Sequence, residues 1–301
     1  MKFISVKEWA EQHGVSERTA RNYCAQGKLE GAYLVGKTWN IPVDAVIPQR
    51  KKKAEKVTPL LDILREQMEG RVKGGIYHRI QIDLTYNSNH IEGSRLTHDQ
   101  TRYIFETNTI GVAGETLNVD DIIETANHFR AIDYIIANTM GKLTEQYIKH
   151  LHTLLKSGTS DERRSWFKVG DYKKLPNEVG GNDTVAPEEV GMEMKSLLKE
   201  YNSRIRPTFE DIIDFHQRFE AIHPFQDGNG RVGRLIMFRE LLRHGYVPFI
   251  ITDALKMFYY NGLRNWPHIK GYLMDTCLTA QDTFKIVLDK FRITTKTDTN
   301  S

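Results

Sequence analysis

His223-Pro224-Phe225-Gln226-Asp227-Gly228-Asn229-Gly230-Arg231-Val232-Gly233-Arg234 brings an imidazole, a carboxylate, a glycine-rich turn and two arginines into one short stretch. A helical pattern runs into it. Thr208 followed by Asp211 reads as a helix start, and Phe209, Ile212, Ile213, Phe219 and Ile222 form an apolar stripe. His223-Pro224 ends that helix, because the residue before a proline resists the helical conformation. A second helix leaves the stretch, with Val232, Leu235, Ile236, Leu241 and Leu242 inward and Gly245 closing it. Residues 223–230 are therefore a short loop between two buried helices, and Gly228-Asn229-Gly230 opens the second one.

That placement points to phosphate chemistry. A helix N-terminus offers unpaired N–H groups and the positive end of a dipole. Glycines allow positive φ and close backbone approach to an anion. Arg231 and Arg234 lie one turn apart, so both can reach one phosphate chain. Asp227 fits beside phosphates if it holds a cation, and Mg²⁺ bridging phosphate oxygens is the natural choice. His223 is a candidate general base near neutral pH. Phe225 reads as a core anchor. An EF-hand is excluded, since the twelfth position from Asp227 is Phe238 and not glutamate.

Outward from the loop, residues from Pro59 onward carry helical periodicity almost throughout: Leu60, Leu61, Ile63 and Leu64; then Ile122, Ile123, Ala126, Phe129 and Tyr134; then Ile148, Leu151, Leu154 and Leu155. The exception, 165–190, is rich in Gly, Pro, Asn and Val and reads as an irregular hairpin. The expected class is all-α with a small hairpin. Ser88-Asn89-His90-Ile91-Glu92-Gly93 reads as a helix end, with Ser88 and Glu92 on one face and Gly93 as terminator. Residues 293–301 read as a frayed tail.

The N-terminal part differs. Ser5 with Glu8 makes a capping box, and Ser16 caps a second helix over 17–26 that projects Arg18 and Arg21 together. Gly31–Ile41 alternates about a Gly36-Lys37 turn, as a β-hairpin does. This resembles the winged helix-turn-helix of excisionase and MerR-like proteins, which places Arg18 and Arg21 on a recognition helix facing DNA. Net charge is +3 over 301 residues, yet residues 1–56 carry 11 Lys/Arg against 6 Asp/Glu. The basic surplus belongs to this segment, as a polyanion-facing module would require. The apolar runs are too short to span a bilayer, and no signal segment opens the chain. Cys24 and Cys277 are far apart and read as free thiols, which suits a reducing cytoplasm.

His223–Arg234 resembles the signature of the Fic family, His-Pro-Phe-x-(Asp/Glu)-Gly-Asn-Gly-Arg-x-x-Arg, at every fixed position, over a region expected to cover about residues 60–280. The resemblance implies an all-α enzyme that transfers AMP from ATP to a Tyr, Thr or Ser hydroxyl of a target protein. His223 would be the base and Asp227 the Mg²⁺ ligand. Gly228, Asn229 and Gly230 would cradle the inner phosphates, with Arg231 and Arg234 on the outer ones. Lysine stands at the place of Gly230 in relatives that act as kinases, so glycine favours nucleotidyl transfer. Ser88, Glu92 and Gly93 match the family's inhibitory motif, in which the glutamate pairs with the second arginine, here Arg234. Gly170-Asp171-Tyr172 and Val179-Gly180-Gly181-Asn182 resemble the flap that registers an extended target, although Lys173 replaces the usual arginine. Tyr259 falls where relatives place an aromatic near the nucleotide.

The expected organisation is a winged module over 1–48, a charged linker over 49–58, N-terminal helices with the inhibitory segment over 59–118, a catalytic region over 119–292 and a tail over 293–301. Self-modification and homo-oligomerisation are compatible with this reading. Two alternatives stay open: a transcription regulator using the domain as a nucleotide sensor, and an enzyme that removes AMP, with Glu92 positioning water.

Overall fold

The computed structural model describes residues 2–36, 38–48, 59–111, 114 and 116–294. The charged segment 49–58, Lys37 of the expected turn, and 295–301 of the expected tail lie outside the described residues. The chain divides into two compact units, residues 1–56 and 57–301, and each is described by itself.

In the first unit, β1 (Phe3–Ser5) runs into α1 (Val6–Gln12), and α2 (Glu17–Ala25) follows. Ser5 and Glu8 form the expected capping box and Ser16 caps α2. Val6, Trp9 and Ala10 pack on Ala20, Cys24, Leu29 and Ile41. The hairpin is β2 (Tyr33–Val35) with β3 (Thr38–Pro42), and β1 adds to the far edge of β3, all antiparallel. β1 was not expected. It is a three-residue strand whose last residue is also the cap of α1, so its local sequence reads as a helix start.

The second unit contains α3 (Leu60–Glu69), α4 (Ile76–Ile91), α5 (His98–Thr107), α6 (Val119–Ala137), α7 (Glu145–Lys156), α8 (Val190–Ser203), α9 (Phe209–Ile222), α10 (Asn229–Arg243), α11 (Lys256–Asn265) and α12 (Gly271–Lys290). Between α7 and α8 a hairpin pairs β4 (Glu178–Val179) with β5 (Asn182–Asp183). One core runs from Leu61 to Ile293, so the segments expected as 59–118 and 119–292 are parts of one packed body.

α10 is the central element. Every residue from Asn229 to Leu242 is buried, polar ones included. A helix wrapped on all sides has no amphipathic period, which is why the pattern picked out only five inward residues. Each buried Leu, Ile, Val or Phe contributes about 1.5–3 kcal/mol against leaving it exposed, so α10 fixes the loop before it firmly. α6 also corrects its pattern. Its first half buries Glu124, Thr125, Asn127 and His128, while Ile122, Ile123 and Ala126 stay partly exposed. Its inward face is polar because each of these side chains meets a polar partner: Glu124 pairs with Arg231 and Lys156, Thr125 accepts from Asn89, Asn127 donates to the Leu155 and Ser157 carbonyls, and His128 bonds Thr85.

Candidate active site

α9 ends where expected. Thr208 and Asp211 form a capping box at its start, and His223 caps its end with φ of 51°, left-handed. Among non-glycine residues, histidine is one of the few that adopt this region with any frequency. The His223 Nδ1 lies 3.3 Å from the Glu220 carbonyl oxygen. A carbonyl only accepts, so Nδ1 carries the proton and Nε2 presents its lone pair. Burial, reinforced by the nearby Lys173 ammonium, brings the imidazole down to about 4, so it is neutral at pH 7.

Three contacts shape the loop between α9 and α10. The buried Phe225 ring stacks on His152 of α7, with centroids 4.0 Å apart and planes 4° from parallel. The Asn229 side chain accepts from the Phe225 N–H at 2.7 Å and donates to the Phe225 carbonyl at 2.8 Å. His152 accepts from the Gly170 N–H at Nδ1, so its Nε2–H donates to the Asp227 carbonyl at 3.1 Å. Gly228 then turns the chain into α10 with φ of 80°, a conformation that any other residue adopts only under strain.

The charged groups form two sets. In the first, Arg231 pairs with Glu124 of α6 and, at 3.2 Å, with Asp227 Oδ2. The Lys156 ammonium, 2% exposed, meets Glu124, Asp161 at 2.8 Å and the same Asp227 Oδ2 at 2.7 Å. Burial works against it, but Arg231 and Lys156 hold the Asp227 carboxyl far below the usual carboxylate range. In the second, Arg234 donates from Nε to Ser88 Oγ at 3.0 Å, and from Nη2 to the Ser88 carbonyl at 2.8 Å and to Glu92 Oε1 at 2.7 Å. Glu92 caps α4 and Gly93 follows with φ of 97°. A Cβ on Gly230 would collide with Glu92 Oε1, so glycine at 230 is what lets Glu92 sit there. Beneath this pair, burial raises the Glu220 carboxyl to about 8.

Several expectations change. Neither Arg231 nor Arg234 faces an open site: both are buried, and each is already paired with carboxylate. The Asn229 side chain braces the loop through both of its bonds to Phe225. Tyr259 is a core residue, 1% exposed, its hydroxyl hydrogen bonded to His216 at 2.8 Å. The flap segment does form a hairpin, with Val179 exposed and Gly180-Gly181 at the turn. The Asn182 side chain lies outside the described residues. Lys173, buried, bonds Asn177 at 2.7 Å and Thr184 at 2.6 Å, and its N–H reaches the Pro224 carbonyl at 2.9 Å, so it ties the hairpin to the loop.

Glu124, His152 and Lys156 were missed. His152 and Lys156 are one turn apart and continue the inward face of Ile148, Leu151 and Leu155. A lysine in a last helical turn also reads as a surface complement to the dipole, and that reading concealed it.

Among the described residues no group of three or more His, Cys, Asp or Glu side chains is arranged to hold a metal ion. Asp227 still suits a divalent ion that brings phosphate ligands with it. Its side chain is 51% exposed, and its hydrogen bonds to side chains all fall on Oδ2.

Residues 142–241 match the family model described as Fic/DOC family. The chain carries a Fic/DOC domain. The match spans the hairpin, α7 to α9 and most of α10. Ser88, Glu92 and Glu124 lie upstream of the matched Fic/DOC residues. "Protein adenylyltransferase Fic" of Drosophila willistoni is 32% identical over 185 residues, which is 60% of this chain and 35% of that protein. The Drosophila melanogaster protein of the same name is 31% identical, covering 60% and 36%. The chain thus spans about a third of the length of these curated relatives. A Fic domain containing signaling protein from Bacteroides thetaiotaomicron shares the fold at TM-score 0.60 and 25% identity, covering 76% of this chain and 94% of that one. Fic-1 of C. elegans shares it at TM-score 0.60 and 19% identity, covering 77% and 71%. No described helix is long and apolar enough to cross a membrane.

Proposed function

We propose that residues 57–301 transfer AMP from ATP to a hydroxyl side chain of a target protein, and that Glu92 holds the site in a resting state. The observation that carries this reading is the His223 imidazole, its Nδ1 on the Glu220 carbonyl so that Nε2 is the acceptor nitrogen, at the lip of a glycine turn that opens the N-terminus of α10. That turn suits the phosphates of ATP. His223 takes the proton of the acceptor hydroxyl as the oxygen attacks the α-phosphorus. The bond from that phosphorus to the bridging oxygen breaks, and pyrophosphate leaves. The charge arriving with the nucleotide raises the proton affinity of His223 and makes it a better base. A divalent ion on Asp227 would offset phosphate charge. The exposed Val179 edge of the hairpin suits an extended target segment.

The resting state follows from Arg234. Paired with Glu92 and Ser88, it is withheld from the outer phosphates, and Glu92 places negative charge where they would lie. Incubation with ATP labelled at the α- or γ-phosphate tests the reading. Label from the α position on protein, lost in His223→Ala, is expected. Label from γ alone would refute it.

For residues 1–48 we propose contact with duplex DNA. Arg18 and Arg21 are both exposed on α2, within the segment that holds the basic surplus. Anisotropy with a labelled duplex should show binding that weakens with salt and in Arg18→Ala/Arg21→Ala. Equal binding by the double variant would remove the proposal.

A further inference from the structure

Lys156 ends α7 as a fully buried ammonium with a carboxylate from a different element for each of its three N–H groups: Glu124 of α6, Asp161 of the turn after α7, and Asp227 of the active loop. Arg231 closes a ring by touching two of the three, Glu124 and Asp227. Two cations therefore share Asp227 Oδ2, and the carboxylate that would attract a divalent ion is already balanced. The three carboxylates converge on the Lys156 ammonium itself, and among the described residues no carboxylate group is arranged to hold a metal ion. Burial opposes that charge, but the Asp227 and Glu124 carboxylates keep Lys156 protonated.

We propose that Lys156 is a positioning residue that fills the cation place formed by Glu124, Asp161 and Asp227, so that the protein takes up a divalent ion only together with the nucleotide. The inference rests on Asp227 as the metal carboxylate of the proposed transfer reaction. Its physical basis is like-charge repulsion. A divalent ion at Asp227 would stand within a few ångströms of the Lys156 ammonium, where like charges repel even in a polar protein interior. Nucleotide phosphates offset that repulsion and supply the ligands that Asp227 alone lacks. Lys156 also fixes the carboxylate, since it and Arg231 hold Oδ2 from two sides.

Equilibrium dialysis of the full chain against Mn²⁺, with and without a non-hydrolysable ATP analogue, tests this. The wild type should retain Mn²⁺ only with the analogue. Lys156→Met, checked for folding by far-UV circular dichroism, should retain Mn²⁺ without nucleotide and at least about tenfold more tightly than wild type. Adding Asp227→Asn should remove the gained site. Lys156→Arg keeps the charge and should behave as wild type. Retention of Mn²⁺ by wild type without nucleotide overturns the inference, as does a folded Lys156→Met that gains nothing. If Lys156→Met does not fold, the wild-type pair and Lys156→Arg still decide. No step here turns over ATP. Absence of AMP transfer with the expected dialysis pattern defeats only the proposed reaction. Transfer by a wild type that binds Mn²⁺ alone defeats only this inference.

Discussion

Replacing Glu92 by glycine removes the carboxylate that pairs with Arg234, while Ser88 keeps its two bonds to the same guanidinium. The broken bond is charge-assisted and 2.7 Å long, between an arginine 3% exposed and a glutamate 29% exposed. A hydrogen bond to a charged group contributes about 1.5–3 kcal/mol, with the lower half of that range apt here because Glu92 is partly solvated. Losing it shifts the ratio of open to closed Arg234 by roughly ten- to fortyfold, since each 1.4 kcal/mol is a factor of ten. If the closed form is the resting form, initial rates of α-label incorporation should rise by about the same factor. Glu92→Gln separates charge from shape. It keeps the side chain but leaves a weaker bond of about 0.5–1.5 kcal/mol, so its rate should fall between wild type and glycine. The assay is initial-rate transfer at saturating ATP, with ATP affinity measured separately. Rates within about twofold of wild type in both variants, with ATP still bound, would show that the pair does not restrain catalysis.

The same contact predicts coupling between Glu92 and Gly230. Gly230→Ala should destabilise wild type by about 1–3 kcal/mol through overlap with Glu92, and less in Glu92→Gly, so urea melts should show non-additivity of about 1 kcal/mol or more. Additive values would mean that the methyl clashes elsewhere. Asn229→Ala leaves two backbone groups of Phe225 unpaired and should cost about 2–4 kcal/mol, read as a lower melting temperature with a raised KM for ATP. An unchanged KM would show that the loop keeps its shape without this brace. Stability should also fall in acid. Burial holds His128, His152 and His216 at about 3 and His223 at about 4, so between those values and 6.5 the unfolded chain binds protons that the folded one refuses. Stability tied to these four groups is present above about 6.5 and is lost below it, by about 2 kcal/mol each at pH 5. Glu220, raised to about 8, acts oppositely and returns about 2–3 kcal/mol over the same change, leaving a net loss of roughly 5 kcal/mol between pH 7 and pH 5. Urea titrations at the two pH values measure it, and equal midpoints would contradict the buried neutral histidines.

The parts of this site that could be read from sequence are those where local chemistry and local geometry coincide. Thr208 with Asp211, Pro224, and the glycines of 228–230 each dictate backbone conformation within a few residues, so the junction of α9 and α10 was legible. Ser88, Glu92 and Gly93 were legible as a helix end. Their pairing with Arg234, 142 residues away from Glu92, entered only through resemblance. Glu124, His152 and Lys156 were hidden for a different reason. Each lies in a helix whose period identifies an apolar face, and a polar residue on that face reads as a break in the pattern. Glu124 is buried against Arg231 of α10, and His152 and Lys156 against Asp227 of the loop before it, and no short window of sequence contains those partners.

This burial joins Asn229 and the two arginines in one closed arrangement. A signature of one carboxylate and two arginines suggests positive charge waiting for phosphate. The structure instead supplies Glu124 and Asp227 to Arg231, and Glu92 to Arg234. Buried cations without partners are costly enough that an empty site must borrow anions from its own chain. A polyphosphate therefore competes with internal carboxylates for arginines that are already satisfied. The two sets differ in how readily they release. Glu124 is buried and shared between Arg231 and Lys156, so moving it would break two buried ion pairs at once. Glu92 is partly solvated and stands at the end of α4, beside a glycine, so it can leave at the cost of one bond. On the proposed reading, control of access falls on Arg234, while Arg231 belongs to the frame that holds Asp227.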